Sequence, residues 1–283
     1  MTQRYLFRGV APDAIGILAE VMTHFASHRL NILESQDFGD PESRKFFIWA
    51  RFEAEIGFNE AAFRDSFEAL AQRRQLHWSL RSETEKPKAL ILVSKADHCL
   101  NDLLYRHRRG RLGAEIVAIA SNHINGEWHA QRHDIPFHHI PVTQDTKPAA
   151  EAQLLELISS TQAEFIVLAR YMQILSDTLT AALSGRCINI HHSALPSFKG
   201  ARPYHQAHAR GVKLMGATAH YVTADLDEGP IIAQDVSPVD HRLSADRMAE
   251  LGKDIESRVL ARAVRAHAEG RVFLNGPRTV VFE

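Results

Sequence analysis

The chain has only two cysteines, Cys99 and Cys187, among 283 residues. That excludes a disulfide scaffold and a zinc site built on thiolates, and leaves two free thiols expected in the interior. Neither charge sign is in excess: 33 Lys and Arg stand against 34 Asp and Glu, a formal net charge of −1. A binder of nucleic acid or of membrane surfaces would carry a basic excess or a basic block, so neither partner is expected. No apolar run approaches the ~20 residues that span a bilayer. The opening MTQRYLFRGV lacks the apolar stretch of a secretory leader. The expectation is a cytoplasmic protein of two domains, at roughly 150 residues per domain. Histidine is what the chain has in quantity, 17 residues, which directs attention to acid–base or metal chemistry.

Apolar periodicity divides the chain. Residues 3–9, 30–38, 45–53 and 76–81 read as strands. The first helix carries Ile15, Leu18, Ala19, Met22 and Phe25 at helical spacing, with Asp13 as its N-cap, and a second spans 59–72. The order βαββαβ is the ferredoxin-like pattern, so residues 1–81 are expected to form one domain. Residues 82–87 (SETEKP) are polar, end in proline and read as a linker. From 88 to 283 the pattern changes to continuous apolar runs at 89–93, 115–120, 137–142, 164–169 and 187–190, separated by helical stretches. Such runs are buried on both faces, which predicts an α/β domain with an open, mostly parallel sheet. Further strands are expected at 216–223, 230–238, 271–274 and 279–282, and one long helix at 245–268.

Ligands of open α/β sheets bind outside the carboxyl ends of the strands. The strand CINI ends in NIHHSALPSFKG, residues 189–200. Asn189 and His191 lie two apart on an extended segment, so their side chains project to the same side. Both can donate hydrogen bonds to a developing oxyanion. Spacing alone serves equally well for a strand end with an Asn turn and a surface histidine pair. A second segment, GATAHYVTADLDEGPII at 216–232, puts Asp225, Asp227 and Glu228 on a turn before Gly229 and Pro230. Beside Asn189 and His191, one of these carboxylates can act as a general base or orient the imidazole.

Together these two segments resemble the core of the folate-dependent formyltransferases, over residues 88 to about 240. The resemblance implies a catalytic trio of Asn189, His191 and Asp227, with His220 supporting Asp227 or the folate. It also implies a folate-binding loop, LARYMQILS, in which Arg170, Tyr171, Met172, Gln173, Ile174 and Leu175 face the pterin, with Asp225 nearby. The substrate implied is 10-formyltetrahydrofolate, with no separate cofactor and no metal. After ALILV, residues 94–104 contain no glycine, so an acceptor bearing a phosphate loses the backbone cradle that glycines provide.

The N-terminal unit, with PDAIGI and NILESQDF, resembles an ACT domain. SNH at 121–123, IPVT at 140–143 and the C-terminal VFLNGPRTVVF extend a likeness to formyltetrahydrofolate deformylases over almost the whole chain. The implied activity is hydrolysis: water attacks the formyl carbon, Asp227 takes its proton, and Asn189 and a charged His191 hold the oxyanion. The alternatives are formyl transfer to an amine, and a non-enzymatic amino-acid sensor. An amino-acid effector is expected near Asp13, Ala14, Ile15, Gly16, Ile17 and Asn31, although the Arg and Pro of the usual ACT turn are absent. The apolar Ile32, Leu33, Phe46, Phe47, Ile48 and Trp49 are too many for one covered face, so the surplus is expected to be buried on another subunit or on the catalytic domain; the resemblance implies a homo-oligomer, a dimer of dimers.

Other candidates are read as structural. His129 with His133, and His205 with His208, share helical faces but have no acidic partner in an H-E-x-x-H pattern. Arg108, Arg109 and Arg111 fit a solvated helix end.

Overall fold

The structure, a computed structural model, describes residues 2–193, 195 and 203–283. The chain divides into two compact units. One takes the residues up to Lys86 together with Glu269–Asn275 and Val280–Glu283; the other takes Pro87–Ala268 and Gly276–Thr279.

The first unit runs β1 (Thr2–Pro12), α1 (Ile17–Ser27), β2 (Asn31–Asp40), β3 (Lys45–Glu55), α2 (Glu60–Arg74) and β4 (His77–Ser82). The strands form a sheet of order β2-β3-β1-β4, with antiparallel neighbours throughout. Alternation along β1 and β3 sends Tyr5, Phe7, Phe46, Ile48, Ala50 and Phe52 into one cluster with Phe25, Phe63 and Phe67 of the helices. The α2 start is fixed by Asn59, whose side chain accepts from the Ala62 N–H at 3.0 Å.

The opposite sheet face is covered by the C-terminal residues. Phe47 and Trp49 pack with Phe273 and Phe282. The Trp49 indole N–H donates to the Glu269 carbonyl at 2.9 Å, and the Asn275 amide to Asp40 at 2.6 Å. This corrects the expected assignment of everything from 88 to 283 to one domain. It also accounts for part of the apolar surplus within the chain: Phe46 and Ile48 face the helices, and Phe47 and Trp49 have their own cover. Ile32, Leu33 and Phe38 of β2 remain exposed. Asp13 is not the α1 cap either. Gly16, at φ 83°, precedes the helix, and the Asp13 N–H donates to the Arg44 carbonyl.

The second unit follows with β5 (Lys88–Val93), α3 (His98–Arg108), β6 (Glu115–Ser121), α4 (Glu127–Arg132), β7 (Phe137–His139), α5 (Lys147–Thr161), β8 (Phe165–Ala169), α6 (Asp177–Ala182), β9 (Cys187–His191), α7 (Pro203–Arg210), β10 (Leu214–Tyr221), β11 (Ile231–Pro238) and α8 (Ala245–Ala268). The sheet order is β11-β10-β9-β8-β5-β6-β7. Five strands, β5 to β9, are parallel; β10 and β11 join antiparallel. The central strands are buried along their length, as in Phe165–Ala169, which is why they read as unbroken apolar runs. Among the described residues no helix is long and apolar enough to cross a membrane.

From β5 the chain runs outward through β6 to β7, then crosses back to β8 on the other side of β5 and runs outward to β9. That reversal opens a crevice at the carboxyl ends of β5, β8 and β9. The segments named from sequence, at 168–176 and 189–193, leave the sheet there.

Candidate active site

The register of β9 against β10 builds the centre. His220 lies opposite Asn189, and Thr218 opposite His191. The Thr218 hydroxyl donates to the Ser193 carbonyl at 2.9 Å and accepts from the Leu195 N–H at 3.0 Å, pinning the chain as it leaves β9. The rest of the motif, Ala194 and residues 196–200, lies outside the described residues.

Asp227 comes to this centre on the loop between β10 and β11. It sits at φ 58°, in the left-handed region that a short carboxylate side chain tolerates. Two residues on, Gly229 passes so close to β10 that an added Cβ would stand 1.7 Å from the Tyr221 carbonyl oxygen. Only glycine lets the loop turn back there and present Asp227.

Asp227 Oδ2 lies 3.1 Å from His191 Nδ1, and Oδ1 lies 3.6 Å from His220 Nε2. The His191 imidazole, the largest influence, holds the Asp227 carboxyl well below the ordinary carboxylate range, against the opposing effect of burial. His220 Nδ1 is 2.9 Å from the Tyr221 carbonyl and donates to it, so in the neutral ring Nε2 accepts from the Asn189 amide at 3.2 Å. The same amide nitrogen is a long 3.5 Å from Asp227 Oδ1, so its second hydrogen is not committed to a close partner there. His191 is buried, and its Nε2 has no hydrogen-bond partner among the described residues.

The trio opens onto a cavity of about 250 Å³ whose wall includes Arg170 to Leu175, Asn189, His191, His220 and Asp227. Ser94, just past β5, shapes that wall. Its N–H donates to the Arg170 carbonyl at 3.3 Å, and its hydroxyl accepts from the Met172 N–H at 2.9 Å and donates to Asn122 at 2.6 Å. Glu151 accepts from the Ser176 N–H at 2.8 Å. Held at both ends, the loop buries Tyr171 and Leu175 and leaves Met172 and Ile174 exposed.

Asp225 is the exception. It is exposed and does not line the cavity; its carbonyl accepts from the Thr223 hydroxyl, which closes the turn. Val222, Thr223, Ala224 and Leu226 form that side of the wall instead. Among the other wall residues that sequence reasoning passes over is His192. Its doublet with His191 was the available signal.

Behind the wall stands a second polar cluster. Glu256 of α8 is 1% exposed and ionised: the ion pairs and hydrogen bonds around it hold its carboxyl below the ordinary range although burial opposes them. It lies 2.7 Å from His98 Nε2 and 3.4 Å from Arg170 Nε, and accepts from the Tyr204 hydroxyl. His98, Cys99 and Glu256 are close enough to share a metal ion. The Arg170 cation beside Glu256 opposes a second positive charge there, and burial pushes the Cys99 thiol up, away from the thiolate a metal needs. Of the histidine pairs, His129 is instead 2.9 Å from Asp97, while His205 and His208 are exposed.

The effector turn is partly committed to structure. Ile15 is fully exposed, Ile17 is in the core, and the Asn31 amide donates to Glu53 at 3.0 Å.

Residues 87–264 match the formyl transferase family. The chain is 49% identical to a formyltetrahydrofolate deformylase of Corynebacterium sp. (strain P-1), covering 98% of both chains. The crystal structure of a formyltetrahydrofolate deformylase from Burkholderia mallei superposes with a TM-score of 0.94 at 48% identity, over 99% of this chain and 100% of that one. A glycinamide ribonucleotide transformylase from Symbiobacterium toebii matches at TM-score 0.66 and 30% identity, over 72% of this chain and 98% of that one.

Proposed function

The chain belongs to the formyl transferase family and stands among its formyltetrahydrofolate deformylases, and we propose on that premise that it hydrolyses 10-formyltetrahydrofolate to formate and tetrahydrofolate through Asn189, His191 and Asp227. The observation that carries the assignment is His191. One ring nitrogen is paired with Asp227, and the other is buried, without a partner among the described residues, beside a cavity walled by the 170–175 loop.

Asp227 stabilises a charged His191, whose Nε2–H donates to the formyl oxygen as negative charge develops on it. The second amide hydrogen of Asn189 supplies the other donor. His220 fixes the Asn189 amide, and His191 keeps Asp227 ionised at neutral pH. A carboxylate so stabilised is a poor store for a proton. It takes one from water as the C–O bond forms and returns it to the leaving nitrogen as the C–N bond breaks. The expected test outcome is formate released by the purified chain from 10-formyltetrahydrofolate with no amine present; release only on adding an amine would overturn the reading.

Transfer to a phosphorylated amine is disfavoured by the start of α3. No glycine lies between residues 94 and 104, Asp97 stands at that terminus, and His98 is engaged with Glu256. An anion would meet carboxylates there.

The first unit, with its βαββαβ order and exposed β2, is proposed to be an ACT-type domain that assembles copies of the chain into a homo-oligomer and binds an amino acid near Asp13–Ile17. Light scattering that shows a monomer would remove the assembly half. A melting temperature unmoved by glycine or methionine would remove the effector half.

A further inference from the structure

His192 follows the trio histidine and has no role in the account above. Its Nδ1 lies 2.8 Å from Arg170 Nη1. A guanidinium has only donors, so Nδ1 must accept and the ring proton must sit on Nε2. Burial, then Arg170, then His191 push the ring down to about 4, so it is neutral at pH 7 and this tautomer holds. Arg170 is itself held by buried Glu256, which His98 and Tyr204 fix in turn. Four residues from four elements or loops thus determine the orientation of one imidazole. The N–H they orient is buried and has no acceptor among the described residues. An orphaned buried donor is costly to keep, so its presence beside a reacting centre calls for a ligand atom.

The His192 ring stacks on His191, with centroids 4.6 Å apart and planes 23° apart, and both rings line the same cavity. The two Nε2 atoms therefore belong to neighbouring parallel rings, one already assigned to the formyl oxygen. Hydrolysis places a second oxygen on the same carbon. We propose that the His192 Nε2–H holds that second oxygen, the one arriving as water, and that this donor selects water over an amine; the assignment rests on the hydrolytic reading above.

The selection follows from lone pairs. Water forms the new C–O bond with one pair and still has another to accept from His192, while one of its protons passes to Asp227. An amine spends its only pair on the carbon and presents N–H bonds to the His192 donor, so it finds no acceptor match and a repulsive contact. In the hydrolytic course the C–N electrons stay with nitrogen, which takes the proton from Asp227. The added oxygen leaves in formic acid, which ionises to formate. Arg170 is a positioning residue in this scheme, since it acts through His192.

The test compares formate release and formyl transfer to methoxyamine, an amine uncharged at neutral pH, for the full chain and its variants. His192→Phe keeps a stacking ring without the donor. Its kcat for formate release is expected to fall about 10²-fold with KM little changed, the usual size for removal of one preorganised donor. Transfer to methoxyamine should fall far less, so the ratio of transferred formyl to formate rises at least tenfold. His192→Gln, which carries an N–H to the position of Nε2, should retain more hydrolysis than His192→Phe or His192→Met; this comparison stands even where His192→Phe does not fold. A parallel fall of both products, or equal losses in Gln and Met variants, overturns the proposal. Unchanged formate release by His192→Phe from an active parent overturns it while leaving the hydrolytic reading in place. No formate from the unmodified chain overturns both.

Discussion

Asp227 is paired with the trio imidazole at 3.1 Å, so its removal is the sharpest residue-level test. Asp227→Asn and His191→Ala should each lower turnover by about 10²–10³ while the chain still folds, since both lie on strand-end segments outside the hydrophobic cores. A second expectation concerns pH. His192 has its folded-state proton affinity depressed, to about 4 from the ordinary 6.5. Between those values the unfolded chain binds a proton that the folded chain refuses, so stability falls as pH drops from about 6.5 towards 4. Melting curves across that window should show a shallower acid slope for His192→Phe than for the parent. A third expectation is that activity survives exhaustive dialysis against a chelator, because Arg170 stands against a cation at His98, Cys99 and Glu256. At this scale the sequence is legible where chemistry and spacing coincide. Asn189 and His191 are two apart on one strand, and that spacing suffices to put them on one side. His192 is opaque because Arg170, 22 residues earlier, and Glu256 on α8 are brought to it only by the folded sheet.

Among the elements, the β9–β10 pair and the loop after it decide the geometry. Gly229→Ala changes no reacting group, yet its methyl would collide with the Tyr221 carbonyl. The loop must shift, and Asp227 with it. The expected result is a loss of about 1–3 kcal/mol in stability by chemical denaturation, together with a fall in kcat. Wild-type kinetics in that variant would show that the loop tolerates another path. Element identity was readable because the fully buried strands are unbroken apolar runs and α8 keeps an apolar stripe over its whole length. Ends were less so. The strand expected at 137–142 stops at His139, where the pairing with β6 ends, and α1 begins after Gly16 because the Asp13 backbone is spent on Arg44.

For the whole molecule, the unexpected feature is the return of the C-terminus to the first unit. Periodicity along the chain carries no information about which distant sheet a closing segment will cover, so the sequence pattern groups 269–283 with its neighbours. Removing residues 269–283 should expose Phe47 and Trp49, at about 1.5–3 kcal/mol for each large apolar side chain. The first unit should then be digested faster by protease; an unchanged cleavage rate within residues 1–86 would contradict that packing. Catalysis by this chain requires water to be the acceptor. The most direct measurement is the reaction run in ¹⁸O-labelled water without any amine, with the formate analysed by mass. Hydrolysis predicts formate carrying one solvent oxygen, formed in step with tetrahydrofolate. Formate without the label, or none until an amine is supplied, would contradict it.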